Sequence, residues 1–273
     1  MCDNRLSAVF LACFLLLGAT RDAGSDPVFA FNGFGSTSGL ALNGDAAVEA
    51  TSDGQVLRLA PAEVGQRGTC YTLAEFNITD FSTYFAFRIQ IPPNAIGADG
   101  ISFTVQPLSP ERLGWGGGGL GYGSTSAPTL AVEFDTYRND WDPDSNHLGV
   151  DSHGSVASLV TTPVAPNWDD GQLWHAWIHY SQGQLDVYTS QQAAKPSMPT
   201  LSYAIDIPST VGRNTAYVGF TAATGSGYAD HDIVNWSFTA VPEPSSLVLM
   251  LGAFAAVVGR RLRRRAKGKP HSG

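Results

Sequence analysis

Between positions 133 and 147 stand five side chains able to hold a hard or borderline cation: Glu133, Asp135, Asn139, Asp142 and His147. They lie in LAVEFDTYRNDWDPDSNHLGVD, Leu130 to Asp151. Glu133 and Asp135 are two apart, so on a strand they project from the same face. The alternation stops after Tyr137, where Asn139, Asp142 and Pro143 are turn formers. His147 then opens a second short apolar run, Leu148-Gly149-Val150. A strand, an acidic loop and a returning strand can fold all five around one point. Ca²⁺ takes an oxygen shell that includes backbone carbonyls and Asn amides. Carboxylates with one imidazole suit a transition ion such as Mn²⁺ or Zn²⁺. The natural partition is two adjacent ions bridged by Asp135 and Asp142. Glu133 and His147 would complete the transition-metal site, and Asn139 with the Tyr137 carbonyl the calcium site. The competing reading of the same residues is a polar hairpin loop with a capped histidine.

These residues need a rigid frame. The chain has 273 residues, 43% of them hydrophobic, which is ample for a real core. Strand-like segments recur and no convincing amphipathic helix is seen, so the expected class is a single all-β sandwich. Strands are expected at Phe29–Phe31, Val56–Leu59, Thr83–Ile91, Ile101–Val105, Leu130–Thr136, Trp174–Tyr180, Gln184–Thr189, Ala216–Ala223 and Ile233–Phe238. Ser181-Gln182-Gly183 reads as a hairpin turn. The Trp and Phe residues on these strands are expected in the core. His153, His175 and His179 read as packing or surface residues, and no Ser-His-Asp or Cys-His set stands out.

Charge is unevenly placed. Residues 24–241 hold 7 Lys and Arg against 21 Asp and Glu, a net of −14, while seven further basic residues lie in 260–269. An acidic domain argues against nucleic acid as a partner and suits divalent cations and neutral ligands. The cysteines are Cys2, Cys13 and Cys70, which offer neither a disulfide framework nor a thiolate metal site.

Residues 1–23 read as a secretory signal peptide: Arg5, an apolar run from Leu6 to Ala19, then small residues. Residues 24–240 form the folded domain. Residues 241–265 are a separate unit, with Val241-Pro-Glu-Pro244, an apolar stretch from Ser245 to Gly259, and RRLRRR at 260–265. That stretch would span about 22 Å as a helix, against a hydrocarbon core of roughly 30 Å, so a short transmembrane helix needs snorkelling arginines on the cytoplasmic side. This tripartite order resembles a PEP-CTERM sorting signal of Gram-negative bacteria, which implies an exosortase-type processing enzyme and export to the cell envelope, surface or matrix. Residues 266–273 are a basic tail.

Two more stretches bear on the metal hairpin. Ala98-Asp99-Gly100 precedes the Ile101 strand and by itself reads as a turn. Gly116-Gly-Gly-Gly119-Leu120-Gly121 would let backbone N–H groups approach a ligand, but lacks the spacing of a phosphate loop. Taken with FAFNGF (29–34), ADGISF (98–103), VGFTAATG (218–225) and HDIVNWSF (231–238), these blocks resemble the legume-type (L-type) lectin family over about Phe29 to Phe238. The resemblance implies a concanavalin A-like jelly-roll sandwich that binds carbohydrate. It implies Mn²⁺ held by Glu133, Asp135, Asp142 and His147, and Ca²⁺ held by Asp135, the Tyr137 carbonyl, Asn139 and Asp142. It further implies that Asp99 and Asn139 bond sugar hydroxyls with help from the Gly118 N–H, that the Tyr137 ring stacks on the sugar, and that the Ala98–Asp99 peptide is cis. The loop that sets monosaccharide choice corresponds to GSGYAD (225–230), is short here, and offers Ser226, Gly227 and Tyr228. The serine that usually supports the metal site is not securely placed in LGVDSHGSVAS. A homodimer through sheet edges is left open.

Two rivals share the fold. A glycoside hydrolase would use paired carboxylates, but related hydrolases carry ExDxE and Tyr137 stands at the third position. A structural matrix protein would have lost the sugar, although Asp99, Asn139 and Gly118 all remain.

Overall fold

Strand after strand, large apolar side chains alternate with small polar ones, and this alternation decides which faces meet. The computed structural model describes residues 28–240. The leader expected at 1–23 and the sorting signal and tail expected at 241–273 lie outside the described residues. Among the described residues no helix is long and apolar enough to cross a membrane.

In chain order the strands are β1 (Phe29–Phe31), β2 (Leu40–Gly44), β3 (Ala47–Thr51), β4 (Gly54–Ala60), β5 (Arg67–Thr72), β6 (Phe76–Asn77), β7 (Phe81–Gln90) and β8 (Gly100–Gln106). They continue as β9 (Leu130–Asp135), β10 (His147–Ser152), β11 (Val160–Pro163), β12 (Trp174–Ser181), β13 (Gln184–Ser190), β14 (Leu201–Ala204), β15 (Thr215–Ala223) and β16 (Asp230–Ala240). One sheet runs β14-β13-β12-β7-β16-β4-β3, with β1 on β16; the other runs β11-β10-β9-β8-β15-β5-β2, with β6 on β15. Every pairing is antiparallel. The described residues therefore form the expected all-β sandwich.

The core lies between the sheets. Phe85 and Phe87 of β7 meet Phe220 of β15 and Phe134 of β9 edge-on, at centroid separations of 4.8 and 5.0 Å. Trp236 of β16 packs on Phe220 at 4.8 Å. Trp177 departs from the core expectation: it is half-buried on the outer face of β12, 5.3 Å from Tyr84. Gln182 and Gly183 form the β12–β13 turn with positive φ at both positions, as a two-residue hairpin demands.

All nine expected strands are present, most of them a residue or two longer. Strands β2, β3, β5, β6, β11 and β14 were not anticipated. β6 and β14 have two and four residues, too few to show a period; β2, β3 and β11 are short and rich in Ala, Gly or Thr, and β5 is buried on both faces. Among the described residues the one α-helix, α1 (Ile207–Val211), is a single turn capped by Asp206, which accepts from the Ser209 N–H.

Candidate functional site

β9 and β10 pair so that Asp135 faces His147 and Glu133 faces Gly149. Val132 and Phe134 point into the core, which sends Glu133 and Asp135 to the outer side of the sheet. That side is not wet: all six residues of β9 are buried, because Leu120 and Tyr122 pack on Ala131 with Val156. Gly149 makes room for the acid. A methyl group there would sit 2.4 Å from Glu133 Oε1 and 2.5 Å from Ser158 Oγ.

The predicted ligands converge. Single ligand atoms of Asp135, Asp142 and His147 lie within 4.8 Å of one another. Glu133 joins them through His147, whose Nε2 is 3.3 Å from Glu133 Oε1. The 136–146 loop is stitched by its own acids: the Tyr137 N–H donates to Asp135 Oδ1 at 2.8 Å and the Asn139 N–H to Asp142 Oδ2 at 2.7 Å. Those bonds turn Asn139 back over the strand end.

Asp99 arrives at the same edge from β8. Its peptide with Ala98 is cis, as expected from the resemblance. Its N–H donates to the Ala223 carbonyl and its own carbonyl accepts from Thr136, so Asp99 is pinned between the ends of β15 and β9. The glycine run is a built turn rather than a loose connection. Gly117–Gly119 form one 3₁₀ turn, and the Gly117 N–H donates to the Thr224 carbonyl at 3.2 Å. A methyl at Gly118 would meet Asn139 Oδ1 at 2.4 Å, so only glycine permits this approach. The 225–230 loop closes the rim: Gly227 packs on Ala98, while Ser226 is exposed. Asp99, Gly118, Tyr137, Asn139, Ser226 and Gly227 thus lie on loops that meet at one end of the β11-to-β2 sheet.

Among the buried atoms without a hydrogen-bond partner are Asp99 Oδ2 and Asn139 Oδ1, at this rim, and Asp151 Oδ1 behind it. A buried oxygen left unbonded costs free energy unless a ligand or cation satisfies it. The charges agree. Burial, then the charges of Glu133 and Asp142, push Asp135 up to about 9. Burial and Asp142 push Asp99 up to about 7. Asp142 is also raised, chiefly by burial. Burial opposes the charged form of His147, but the Glu133 hydrogen bond and the charges of Glu133, Asp144 and Asp142 outweigh it and hold the imidazole above its ordinary value. Burial likewise opposes ionised Glu133, yet bonds from His147, Asp151 and Ser158 keep it below the usual carboxylate range. Carboxylates crowded together and held off ionisation are groups a cation would relieve.

Four residues here escaped the sequence reading. Ser158, within the LGVDSHGSVAS stretch, donates to Glu133 Oε1 at 2.5 Å. Tyr122 Oη lies 2.9 Å from Glu133 Oε2 and 2.6 Å from Asp151 Oδ2. Burial, then the charge of Glu133, raises Asp151 well above the usual carboxylate range. Trp168 donates its indole N–H to the His147 carbonyl at 3.0 Å. The proposed ligands cluster in one hairpin; Asp151 shares its β10 strand, whereas Tyr122, Ser158 and Trp168 come from separate loops.

The chain's likenesses are consistent with this geometry. The sequence pattern of the family described as "Legume lectin domain" matches residues 26–248. A seed lectin of Styphnolobium japonicum is 32% identical, covering 86% of each chain. Leucoagglutinating phytohemagglutinin of Phaseolus vulgaris is 33% identical, covering 85% of this chain and 90% of its own. Among solved structures, basic winged bean lectin with Tn-antigen has 30% identity and a TM-score of 0.66, over 77% of this chain and 96% of that one. Peanut lectin with a 9mer peptide has 25% identity and a TM-score of 0.68, over 78% and 97%.

Proposed function

This chain belongs to the legume lectin family, and from that premise we propose that it is a metal-dependent carbohydrate-binding protein. The relatives and structural neighbours described above are lectins, and the chain is accordingly a binding protein rather than an enzyme. The hydrolase alternative gains nothing from the site, where Glu133 is bonded to Tyr122, Ser158 and His147.

One observation carries the reading: two unpartnered buried oxygens, Asp99 Oδ2 and Asn139 Oδ1, stand beside a three-ligand cluster of Asp135, Asp142 and His147. The donor set fits the two ions of the partition above. Glu133, Asp135, Asp142 and His147 would hold Mn²⁺ or another transition ion. Asp135, the Tyr137 carbonyl, Asn139 and Asp142 would hold Ca²⁺. The bound cations supply fixed positive charge, which keeps these carboxylates ionised and the loop in one shape. Asp99 and the Asn139 amide then accept and donate to sugar hydroxyls, with the Gly118 N–H as a further donor. Tyr137 offers an aromatic face to the sugar's C–H patch, and Ser226 and Gly227 border the choice of sugar. Because the fan is set before the ligand arrives, little ordering cost remains at binding.

In the same reading, residues 1–23 are a leader, 24–240 the lectin domain, and 241–265 a PEP-CTERM signal handled by an exosortase-type enzyme. The protein would then work at the envelope, surface or matrix of a Gram-negative bacterium. A homodimer is compatible with it. The site is tested on a glycan array probed with the full chain in Ca²⁺ and Mn²⁺, wild type against Asp99→Ala. Binding by the wild type and its loss in the variant is expected; full binding by Asp99→Ala would remove the site.

A further inference from the structure

The six tryptophans divide sharply. Trp168, Trp174 and Trp236 are buried and Trp177 is half-buried. Trp115 and Trp141 leave 49% and 48% of their surface in water. Leaving so large an apolar ring exposed forgoes much hydrophobic stabilisation. A single exposed apolar residue needs no explanation, but both of these belong to loops that form the mouth built above.

Each is mounted on a stiff loop. The Trp115 N–H donates to the Gly123 carbonyl at 2.9 Å, and its carbonyl accepts from Gly121 at 2.8 Å. Trp141 lies in the turn closed by the Asp142 N–H on the Asn139 carbonyl at 3.2 Å and the Asn139 N–H on Asp142 Oδ2. The two loops touch where Gly118 meets Asn139, so the rings stand on opposite loops of one contact. Ile96, 70% exposed, adds a third apolar group, and its carbonyl accepts from Tyr228 of the rim. Loops held in this way lose little backbone freedom when their side chains stack on a ligand.

We propose that this site takes a saccharide chain of several units rather than one terminal unit. Asp99, Asn139 and Gly118 hold the hydroxyls of one unit. Trp115 and Trp141 offer their faces to the C–H patches of the neighbouring units. The inference rests on the sugar-binding reading above and adds the size class of the ligand and the two residues that read it.

The test titrates the full chain, in Ca²⁺ and Mn²⁺, with galactose, glucose, mannose and their N-acetylated forms, and with linear di- to tetrasaccharides ending in each. For the sugar that binds, the oligomer should bind about tenfold tighter than the monosaccharide. Trp115→Ala and Trp141→Ala should each weaken the oligomer about three- to tenfold and leave the monosaccharide within about twofold. Trp→Phe at either position should restore most of the oligomer affinity, which excludes a folding defect. A monosaccharide bound as tightly as its oligomers would overturn the inference and leave the primary site standing. So would alanine variants that weaken both ligands equally, or that change only self-association. Failure of the metal-loaded wild type to bind any saccharide would bring down the primary site and the inference together.

Discussion

Asp135 carries opposite demands. Burial, Glu133 and Asp142 hold its carboxyl at about 9, yet a cation there needs it ionised; beside it, burial with Asp142 holds Asp99 at about 7. The sign follows from linkage. A carboxyl whose folded pKa is raised adds stability while it stays protonated, fully so below its unfolded value. That stability is lost as pH climbs through the folded value. The melting temperature of the metal-free full chain should therefore fall between about pH 5 and about pH 9, and the gain on adding Ca²⁺ and Mn²⁺ should grow over the same interval. Thermal melts in chelator and in both metals check this; a metal gain that does not change with pH would refute it. The meeting of Asp135, Asp142 and His147 was legible in the sequence because register and a short loop gather them within one hairpin. Ser158 was not, because its contact with Glu133 depends on how the β10–β11 loop folds back, which no local pattern records.

Two strands and one distant indole set the hairpin. Trp168 fills the core beside Phe87, Phe134 and Trp174, and its N–H holds the His147 carbonyl at the start of β10. Trp168→Ala should cost about 3–5 kcal/mol in chemical unfolding, mostly from the cavity it leaves. It should also weaken Mn²⁺ binding, since β10 loses the bond that seats His147; calorimetric titration of the ion reads that loss, and unchanged stability would contradict the packing account. At this scale the sequence was readable where side chains alternate with size. β7 and β12 show their period plainly, and their bounds were found within two residues. β5 reads RGTCYT with five of six residues buried, so it carries no inside–outside contrast and passed unseen. The Gly117–Gly119 turn was ambiguous for a different reason: glycine permits both a loose loop and a tight one, and only contact with Asn139 decides.

Residues 28–240 form an acidic sandwich that brings four loops together at one end of one sheet. Strand periodicity gave the two-sheet class but not the strand order; the order and spacing of the lectin-like blocks supplied what periodicity lacked. The net of −14 over residues 24–241 suits cation capture, because divalent ions are drawn to a surface that repels other anions. The central claim is that cations in the 133–147 hairpin hold a saccharide cradle ready-made. Titration of the full chain with its array-identified sugar, first in Ca²⁺ and Mn²⁺, then after chelation, then with both ions returned, tests it most directly. The account predicts that chelation weakens binding at least about tenfold and that the returned ions restore it. Sugar binding of equal strength in all three conditions would contradict it.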